Sequence, residues 1–448
     1  MDHIPQNMRM AAAKMSNRNQ NRFRLETVSS DTARAGRIIT VNLPENALID
    51  TKSLTMQMKV AASAGTVDTS VAVGRLPADT SSLISRVEVY VNGVQVMGGA
   101  SEYGVISRIL KIGRCNGEKD RTIDRALSHS AITAADADET CTIMMTDWKG
   151  FLGECGCRFL PTDLIGNVQI RITFAGNEVI VPKITGEAVG AALDTANKRA
   201  AAALCKYEVS DIFFTVDTIQ VDEMYHTMLR ERLSNEGEIR LMYKEYYSWS
   251  VGGHTSTASN TRFSLSSGSI DKLYAVMRDS NHQTVGTPAT TMTPSFGDTF
   301  VAAPFCFVSM SANSTDTTEG DLRAQWSINN TLHPQFRAGC LNAIFDQAYC
   351  NDKVYDNSGG CLLSSMSQFH TGMAVFALRL NHPGEPISVT SGYDSRGVNS
   401  QMSINFEHLT VPTAAAPTGV TATYSTFVVA ETTAQLVIGL GRSVAVSY

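Results

Sequence analysis

The sequence predicts an all-β protein, and three observations support this prediction. Apolar and polar residues alternate in several short runs, of which residues 54–60 and 168–174 are the clearest. A period of two is typical of a strand with one face buried and the other in water. Segments rich in Gly, Ser, Thr, Asn and Asp separate these runs, as expected of loops between strands. Helical patterns are few and short.

Length and composition limit the class of protein. The chain has 448 residues, of which 43% are hydrophobic and 18% charged. This composition excludes a largely disordered chain, and the length predicts two domains or one large one. No stretch reaches the roughly 18 uninterrupted apolar residues of a transmembrane helix, and residues 1–24 lack the apolar core of a signal peptide. We therefore expect a soluble protein of intracellular origin.

Further strand patterns continue along the chain. Residues 87–91 alternate and end in Asn92-Gly93, a strong signal for a hairpin turn. One parity between 239 and 251 is apolar, with only Glu245 interrupting; its members are Ile239, Leu241, Tyr243, Tyr247, Trp249 and Val251. Residues 402–406 alternate again. The long predicted loops are residues 61–82, 114–140, 252–268 and 279–300.

Three helices with an apolar stripe are predicted. Ser101 is the expected N-cap of the first, which ends at Gly113. The other two stripes have helical spacing and predict core contacts; they comprise Val221, Met224, Tyr225, Met228 and Leu229, and Leu341, Ile344, Phe345 and Ala348. The Ala-rich residues 187–204 fit either a helix or an extended surface loop.

Two sequence matches indicate a tandem duplication. Residues 84–91 match residues 270–277 as I-x-[RK]-[VL]-x-[VA], and residues 169–174 match residues 401–406 as Q-[IM]-x-I-[TN]-F. Both matches occur in the same order, which favours a repeated plan with insertions in the second half. The boundary is predicted near Asp217, between a strand and a helix.

A basic segment begins the chain. Residues 1–24 contain five basic residues and one acidic residue, although the whole chain has a net charge of −6. The segment shows no strand alternation, so we interpret it as a flexible arm whose charges contact phosphate, in nucleic acid or lipid headgroups, or remain in solvent. The basic residues are Arg9, Lys14, Arg18, Arg22 and Arg24.

No arrangement of residues predicts an enzyme or a metal site. Nine cysteines are thinly spread, which predicts reduced thiols, and Cys155 and Cys157 lack a second pair at zinc-binding spacing. Nucleotide-binding, zinc-protease and serine-hydrolase motifs are absent, and the nine histidines show no paired spacing. The acidic residues 136–139 fit a solvated loop better than a cation site. We therefore expect no catalysis and no cofactor.

The layout resembles one capsid protein family. Two all-β domains of about 200 residues are too long for immunoglobulin-like sandwiches, whereas jelly rolls with loop insertions fit. A basic arm, a jelly roll, the strand 207–216, a helix, the aromatic strand 243–249 and a second jelly roll resemble the double jelly-roll major capsid proteins of double-stranded DNA viruses, virophages and polinton-like viruses. The expected fold is all-β, with two tandem eight-stranded jelly rolls, a few short helices and long loop insertions.

The resemblance implies domain bounds and a mechanical function. The expected parts are an arm (1–24), a first jelly roll (25–217) and a second jelly roll (218–448). Such subunits form homotrimers, which are pseudo-hexagonal capsomers that tile an icosahedral shell, with insertions at 252–268 and 279–333 as tower or trimer-locking loops. The implied partners are neighbouring capsomers, penton and minor capsid proteins, and an internal membrane or the genome through the five basic residues. The implied location is the virion, after synthesis in the host cell.

A different function class also fits a jelly roll. Viral attachment proteins that bind a receptor or a glycan use this fold, and the 3 Trp and 13 Tyr could stack on sugars. A pentameric vertex protein is a weaker option because that role needs only one jelly roll. Oligomeric state and assembly distinguish these alternatives.

Overall fold

The computed structural model describes most of the chain. The described residues are 19–77, 79–113, 138–187, 195–220, 223–254, 258–280, 282, 303–305, 307–308, 319–351, 374–384, 387, 389–396, 400–408 and 423–448. Within them, no helix is both long enough and apolar enough to cross a membrane.

Strands β1 to β13 form the first half. Their bounds are β1 (Asn19–Glu26), β2 (Ala33–Arg34), β3 (Ile38–Asn42), β4 (Leu48–Ser63), β5 (Gly65–Val67), β6 (Ser70–Arg75), β7 (Ile84–Val91), β8 (Val94–Met97), β9 (Thr140–Met145), β10 (Phe159–Pro161), β11 (Val168–Phe174), β12 (Val181–Ile184) and β13 (Lys206–Gln220). Eight of them form two antiparallel sheets in the orders β1-β13-β4-β10 and β3-β11-β7-β8. β2 and β9 extend the first sheet, and β5, β6 and β12 form a small separate sheet.

Strands β14 to β22 form the second half. Their bounds are β14 (Glu238–His254), β15 (Ala258–Phe263), β16 (Ile270–Asp279), β17 (Leu322–Ile328), β18 (Thr331–Ala338), β19 (Phe376–Arg379), β20 (Met402–His408), β21 (Tyr424–Gly439) and β22 (Val444–Ser447). The two antiparallel sheets have the orders β14-β21-β16-β19 and β15-β20-β17-β18, and β22 pairs with β21.

Both halves have the same topology. If the eight main strands of each half are numbered along the chain, one sheet joins the first, eighth, third and sixth strands, and the other joins the second, seventh, fourth and fifth. This is the strand order of a jelly roll, in which two sheets of a Greek-key arrangement enclose the core. The predicted fold of two tandem eight-stranded jelly rolls is therefore confirmed. The halves are called roll 1 and roll 2 below.

The helices are short, and two of them, one in each roll, occupy equivalent places. They are α1 (Tyr103–Gly113), α2 (Thr162–Ile165), α3 (Ala196–Ala203), α4 (Glu223–Glu236) and α5 (Cys340–Cys350). α1 follows the fifth strand of roll 1 and α5 follows the fifth strand of roll 2, while α4 connects the rolls. Of residues 187–204, left open by the sequence, residues 196–203 form the helix α3 with Thr195 as its N-cap, and residues 188–194 lie outside the described residues.

Alternation in the sequence correctly identifies the core faces of the strands. Leu54, Met56, Met58 and Val60 are all buried, and β11 alternates strictly between buried and half-buried residues. Asn92 and Gly93 both have positive φ, as the tight turn between β7 and β8 requires. The buried apolar side chains of the two rolls form one continuous cluster, which spans the contact between them.

The sequence prediction of loops is partly wrong. Residues 61–82 contain the end of β4 and the hairpin of β5 and β6, and residues 252–268 contain β15. The insertion expected at 279–333 contains β17 and the start of β18. In β5, β6 and β15, the residues Ser, Thr, Gly and Asn weaken the apolar signal. β17 alternates between apolar and polar residues from Leu322 to Ile328, so the sequence did contain a strand signal there. Most of the loop predicted at 114–140 and all but the beginning of the loop predicted at 279–300 lie outside the described residues.

One of the two repeat matches joins strands that are not equivalent. Residues 84–91 form the fourth strand of roll 1, whereas residues 270–277 lie in the third strand of roll 2. β7 alternates between buried and less buried residues, whereas β16 is buried throughout 270–278, so the sequence match does not reflect a shared position in the fold. The match between residues 169–174 and 401–406 is correct, since it joins the seventh strands of both rolls.

The apolar stripe that the sequence predicts to face the core in α5 is partly exposed in the structure. The structure buries Cys340, Ala343, Gln347 and Cys350, and leaves Leu341 and Phe345 exposed. Both stripes have helical spacing, so the sequence alone does not decide between them. In α4, Tyr225 and Leu229 are buried as predicted and Met224 is exposed.

Candidate functional site

Roll 1 covers an open sheet edge of roll 2. β14 is the edge strand of its sheet, and an uncovered edge would leave a row of backbone groups unpaired. The Lys244 N–H donates to the Glu154 carbonyl oxygen over 3.1 Å, and the Gly156 N–H donates to the Met242 carbonyl oxygen over 2.8 Å. We call the whole contact between residues 19–220 and residues 238–448 the seam.

Aromatic side chains of β14 reach into roll 1. The Tyr243 hydroxyl donates to the Val96 carbonyl oxygen over 2.7 Å, and the Tyr243 ring meets Phe151 edge-on with centroids 5.2 Å apart. The Tyr246 hydroxyl donates to Glu154 Oε2 over 2.6 Å. Because each ring is buried and each hydroxyl has a partner in roll 1, these residues fix the position of β14 as well as covering apolar surface.

A buried ion pair crosses the seam. Arg278 on β16 has no exposed surface, and its Nη2 donates to Glu102 Oε1 over 2.8 Å while Nη1 donates to Oε2. The guanidinium also lies 4.8 Å from the ring centroid of Phe427. A fully buried guanidinium is stable only when it is paired, so the position of Glu102 at the start of α1 is coupled to roll 2.

A buried carboxyl lies at the same seam. Burial raises the pKa of Glu245 on β14 to about 7, even though the Tyr247 hydroxyl and the backbone N–H groups of Gly98 and Gly99 donate to it and lower its pKa. Tyr448 at the end of β22 packs edge-on against Tyr247. The carboxyl therefore changes charge near neutral pH, within a contact made by both rolls.

The turn between β21 and β22 adds polar contacts to roll 1. Arg442 Nε donates to the Asp163 carbonyl oxygen over 3.1 Å, and Arg442 Nη2 donates to Asn46 Oδ1 over 3.0 Å. Asn92 Nδ2 donates to the Arg442 carbonyl oxygen over 2.9 Å. The Gly-rich residues 439–442 therefore form the turn between β21 and β22, and Arg442 of this turn contacts roll 1.

Gly99 allows the close approach of the rolls. A Cβ added there would lie 2.6 Å from Cε1 of Tyr247, and this ring is held by Glu245 and Tyr448. We expect Gly99→Ala to lower the free energy of unfolding by about 1–3 kcal/mol, the usual cost of overpacking. Thermal unfolding measures this loss.

Gly252→Ala is the matched control for Gly99→Ala. Its added Cβ would meet only Ser425 Cβ at 3.9 Å, an ordinary contact. We expect a change within about 0.5 kcal/mol. Equal unfolding temperatures for the two variants would contradict the role of Gly99.

Two groups of exposed apolar residues lie outside the contacts of the seam described above. On roll 1 they are Phe23 of β1, Ile38 of β3 and Val28, whose N–H donates to the Thr40 carbonyl oxygen of β3. On roll 2 they are Leu332 and Phe336 of β18 and Leu341 and Phe345 of α5.

The structure separates the five basic residues predicted to bind phosphate. Arg9, Lys14 and Arg18 lie outside the described residues. Arg22 and Arg24, assigned by sequence to a flexible arm, lie instead in β1, which pairs along β13 from Asn19 to Glu26. The β13 edge and polar side-chain contacts hold this strand, so it needs no apolar alternation.

Acidic neighbours already partner the two arginines of β1. Arg22 Nε donates to Asp217 Oδ1 over 2.6 Å, and this contact lowers the pKa of Asp217. Arg24 Nε donates to Glu26 Oε1 over 2.6 Å, and its guanidinium lies 4.1 Å from the ring centroid of Phe213. Phosphate binding by the five basic residues remains a prediction.

The thiols and histidines do not form a reactive centre in the described part of the chain. The six cysteines there are free, and burial raises the pKa of Cys155 to about 11, so that thiol is protonated at neutral pH. His226 Nδ1 lies 2.9 Å from Asp163 Oδ2, a contact that holds α4 against α2. No three His, Cys, Asp or Glu side chains among these residues are grouped to hold a metal ion.

Sequence reasoning identified the aromatic strand 243–249 but not its contact with roll 1, nor the other residues of the seam. Glu245 carries the one available signal, since it interrupts the apolar parity of β14 and is nevertheless buried. Arg278 follows an apolar run, and its partner Glu102 is 176 residues away along the chain, so no local pattern connects them.

Comparison with known proteins gives structural matches only. No protein-family model and no curated protein sequence matches the chain. The PBCV-1 capsid protein that was fitted into a reconstruction of the virophage Sputnik is similar, with a TM-score of 0.58 and 14% identity, covering 97% of this chain and 98% of that chain. The Faustovirus major capsid protein has a TM-score of 0.54 and 10% identity, covering 95% of this chain and 91% of that chain.

These matches extend over nearly the whole length of both chains, so they include both rolls and the connection between them. At 10–14% identity they establish the fold. Together with the strand order of each half, they confirm the predicted resemblance: the chain has the double jelly-roll fold of viral major capsid proteins.

Proposed function

We propose that the chain is a major capsid protein, a structural subunit of a viral shell. The observation that carries this proposal is the pairing of two jelly rolls with the same strand order through the seam. Because both rolls have the same fold, the subunit has two similar lobes, one formed by each roll. Three copies arranged head to tail then give a ring of six similar lobes, a shape that tiles a surface.

The finer features of this function are part of the same proposal. The chain forms a homotrimer that contacts neighbouring capsomers and the penton and minor capsid proteins of a virion assembled in the host cell. The sequence places the first jelly roll at 25–217 and the second at 218–448, after the basic segment 1–24; because β1 begins at Asn19 and β13 ends at Gln220, we assign residues 19–220 to the first roll. The basic segment contacts an internal membrane or the genome. The role is mechanical and requires no catalysis.

The positions of the tryptophans argue against a glycan-binding attachment protein. Trp148 and Trp326 are buried in the cores. Trp249 is half-buried, and its ring lies 5.0 Å from the ring of Phe263. Stacking on a sugar needs an exposed aromatic face, which the two buried tryptophans do not offer.

Native mass tests the proposed function. We expect the purified chain to form a species of about 145 kDa, three times its mass of 48.4 kDa, by mass photometry and sedimentation. A chain that remains monomeric at every concentration and binds immobilised glycans would contradict the proposal and support an attachment protein.

A further inference from the structure

One side-chain amide of roll 1, that of Asn92, binds both the end of α2 and a turn of roll 2. Its Nδ2 donates to the Ile165 carbonyl oxygen over 2.6 Å and to the Arg442 carbonyl oxygen over 2.9 Å. Its Oδ1 accepts a hydrogen bond from the Asn167 N–H over 3.0 Å. The two amide hydrogens and the amide oxygen therefore all have partners, and one of these partners belongs to roll 2.

The residue after Asn92 makes this amide chemically reactive. Gly93 has no side chain to shield its backbone nitrogen, and a Cβ added there would meet no atom within 4 Å. Both residues are exposed at the turn between β7 and β8, so water reaches them. An asparagine followed by glycine is prone to deamidation, because nothing hinders attack of the glycine nitrogen on the amide carbon.

Deamidation proceeds through a succinimide ring. The Gly93 nitrogen attacks Cγ of Asn92, so that a new N–Cγ bond forms and the Cγ–Nδ2 bond breaks. Nδ2 leaves as ammonia, taking the proton of the Gly93 N–H. Water then opens the ring at either carbonyl and leaves aspartate or isoaspartate. The reaction needs no oxidant or reductant, and water is its only co-reactant.

The contact between the rolls opposes ring closure. Cγ of Asn92 has to swing onto the Gly93 nitrogen, whereas the three hydrogen bonds hold the amide against residues 165–167 and the turn of roll 2. That turn is itself fixed, since Arg442 donates to the Asp163 carbonyl oxygen and to Asn46 Oδ1. Reaction at Asn92 therefore requires these bonds to open.

The product of deamidation does not remake the contact. An ionised carboxylate accepts hydrogen bonds and donates none, so it offers no donor to the carbonyl oxygens of Ile165 and Arg442. Those two oxygens lie 2.6 and 2.9 Å from the nitrogen that an oxygen would replace. The new negative charge would repel both of them.

We propose that Asn92 is a deamidation site controlled by the contact of the two rolls. The amide persists while the turn of roll 2 is bound to it, and it is converted to aspartate or isoaspartate when that turn separates. Because the altered side chain repels its former partners, the modification makes the loss of this contact permanent. A chain whose seam has opened is thereby chemically marked. This chemistry is independent of the proposed capsid function.

Peptide mapping by mass spectrometry measures the reaction directly. The chain is incubated at mildly alkaline pH, either folded or unfolded in urea. We expect Asn92 to be converted at least about 10-fold more slowly in the folded chain, because the reaction follows the population of the open contact. Asn116-Gly117, which lies outside the described residues, is the same dipeptide, and its conversion in urea calibrates the unfolded rate. Equal rates at Asn92 in the folded and unfolded chain would overturn the proposal.

Arg442→Ala tests the part played by roll 2. It removes the two side-chain bonds that hold the turn on roll 1, so Asn92 in this folded variant should deamidate about 10-fold faster than in the folded unaltered chain. Arg396→Ala is the matched control and should leave the rate unchanged, because Arg396 is exposed and donates to Asp394 of its own loop. An unchanged rate in Arg442→Ala would overturn control by roll 2.

A second variant serves if Arg442→Ala does not fold. Asn46→Gly removes the acceptor of Arg442 Nη2 and tolerates the positive φ of position 46. Its rate of conversion at Asn92 should also exceed that of the unaltered chain, and an unchanged rate would count against the proposal in the same way.

Asn92→Asp reproduces one product of the reaction. We expect this variant to unfold at a lower temperature than the unaltered chain, because its carboxylate faces the carbonyl oxygens of Ile165 and Arg442. Asn21→Asp makes the same change at an exposed position of β1 and should unfold like the unaltered chain. Equal unfolding temperatures for the two variants would overturn the claim that deamidation breaks the contact.

Discussion

Glu102→Gln is expected to lower the free energy of unfolding by about 3 kcal/mol, since it leaves the Arg278 guanidinium buried without an opposite charge. Arg278 has no exposed side-chain surface, whereas the Glu102 side chain is 25% exposed. Glutamine keeps the size of the side chain and the same positive φ at position 102, so the comparison isolates the charge. Urea unfolding followed by tryptophan fluorescence measures the loss.

A double-mutant cycle distinguishes the ion pair from general packing. Arg278→Met removes the buried charge and keeps an apolar side chain against Phe427. Replacing both members of a buried pair commonly costs less than removing one. We therefore expect Glu102→Gln with Arg278→Met to be more stable than Glu102→Gln alone. A double variant that is less stable would contradict this account of the seam.

Glu245→Gln is expected to stabilise the chain by about 3 kcal/mol above pH 7 and to have little effect below pH 4.5. Burial raises the pKa of this carboxyl from 4.5 to about 7 in the folded chain. The folded chain therefore binds the proton more tightly than the unfolded chain. Stability from this group is fully present below pH 4.5 and is lost as pH rises through 7, and glutamine removes that loss.

Unfolding curves measured from pH 4 to pH 8.5 test this dependence. Glu231→Gln on α4 is the control because that carboxyl is exposed. The free energy of unfolding of this variant should change with pH in the same way as that of the unaltered chain. If the difference in free energy of unfolding between Glu245→Gln and the unaltered chain were the same at every pH, the raised pKa of Glu245 would be contradicted.

The fold could be predicted from sequence because alternation is a local property. Runs such as residues 54–60 and 168–174 define one buried face each, and Asn92-Gly93 specifies a turn without reference to the rest of the chain. Strand equivalence is not local. The misassigned match of residues 84–91 with residues 270–277 shows that a short β pattern alone does not identify the sheet that a strand joins.

The seam and the apolar surfaces could be predicted only in part. Pairs such as Glu102 with Arg278 join residues far apart in the chain, and nothing near either residue specifies the other. For α5, the sequence shows two apolar stripes, and only tertiary packing decides that Leu341 and Phe345 remain outside. A helix with apolar residues on both faces is nevertheless a readable signal of a second contact.

Electron microscopy of the assembled protein tests the central claim most directly. We predict closed shells or hexagonal arrays whose repeating unit contains three chains and shows six lobes, one for each jelly roll. Discrete oligomers that form no lattice, or a repeating unit with another number of lobes, would contradict the assignment of this chain as the building block of a capsid.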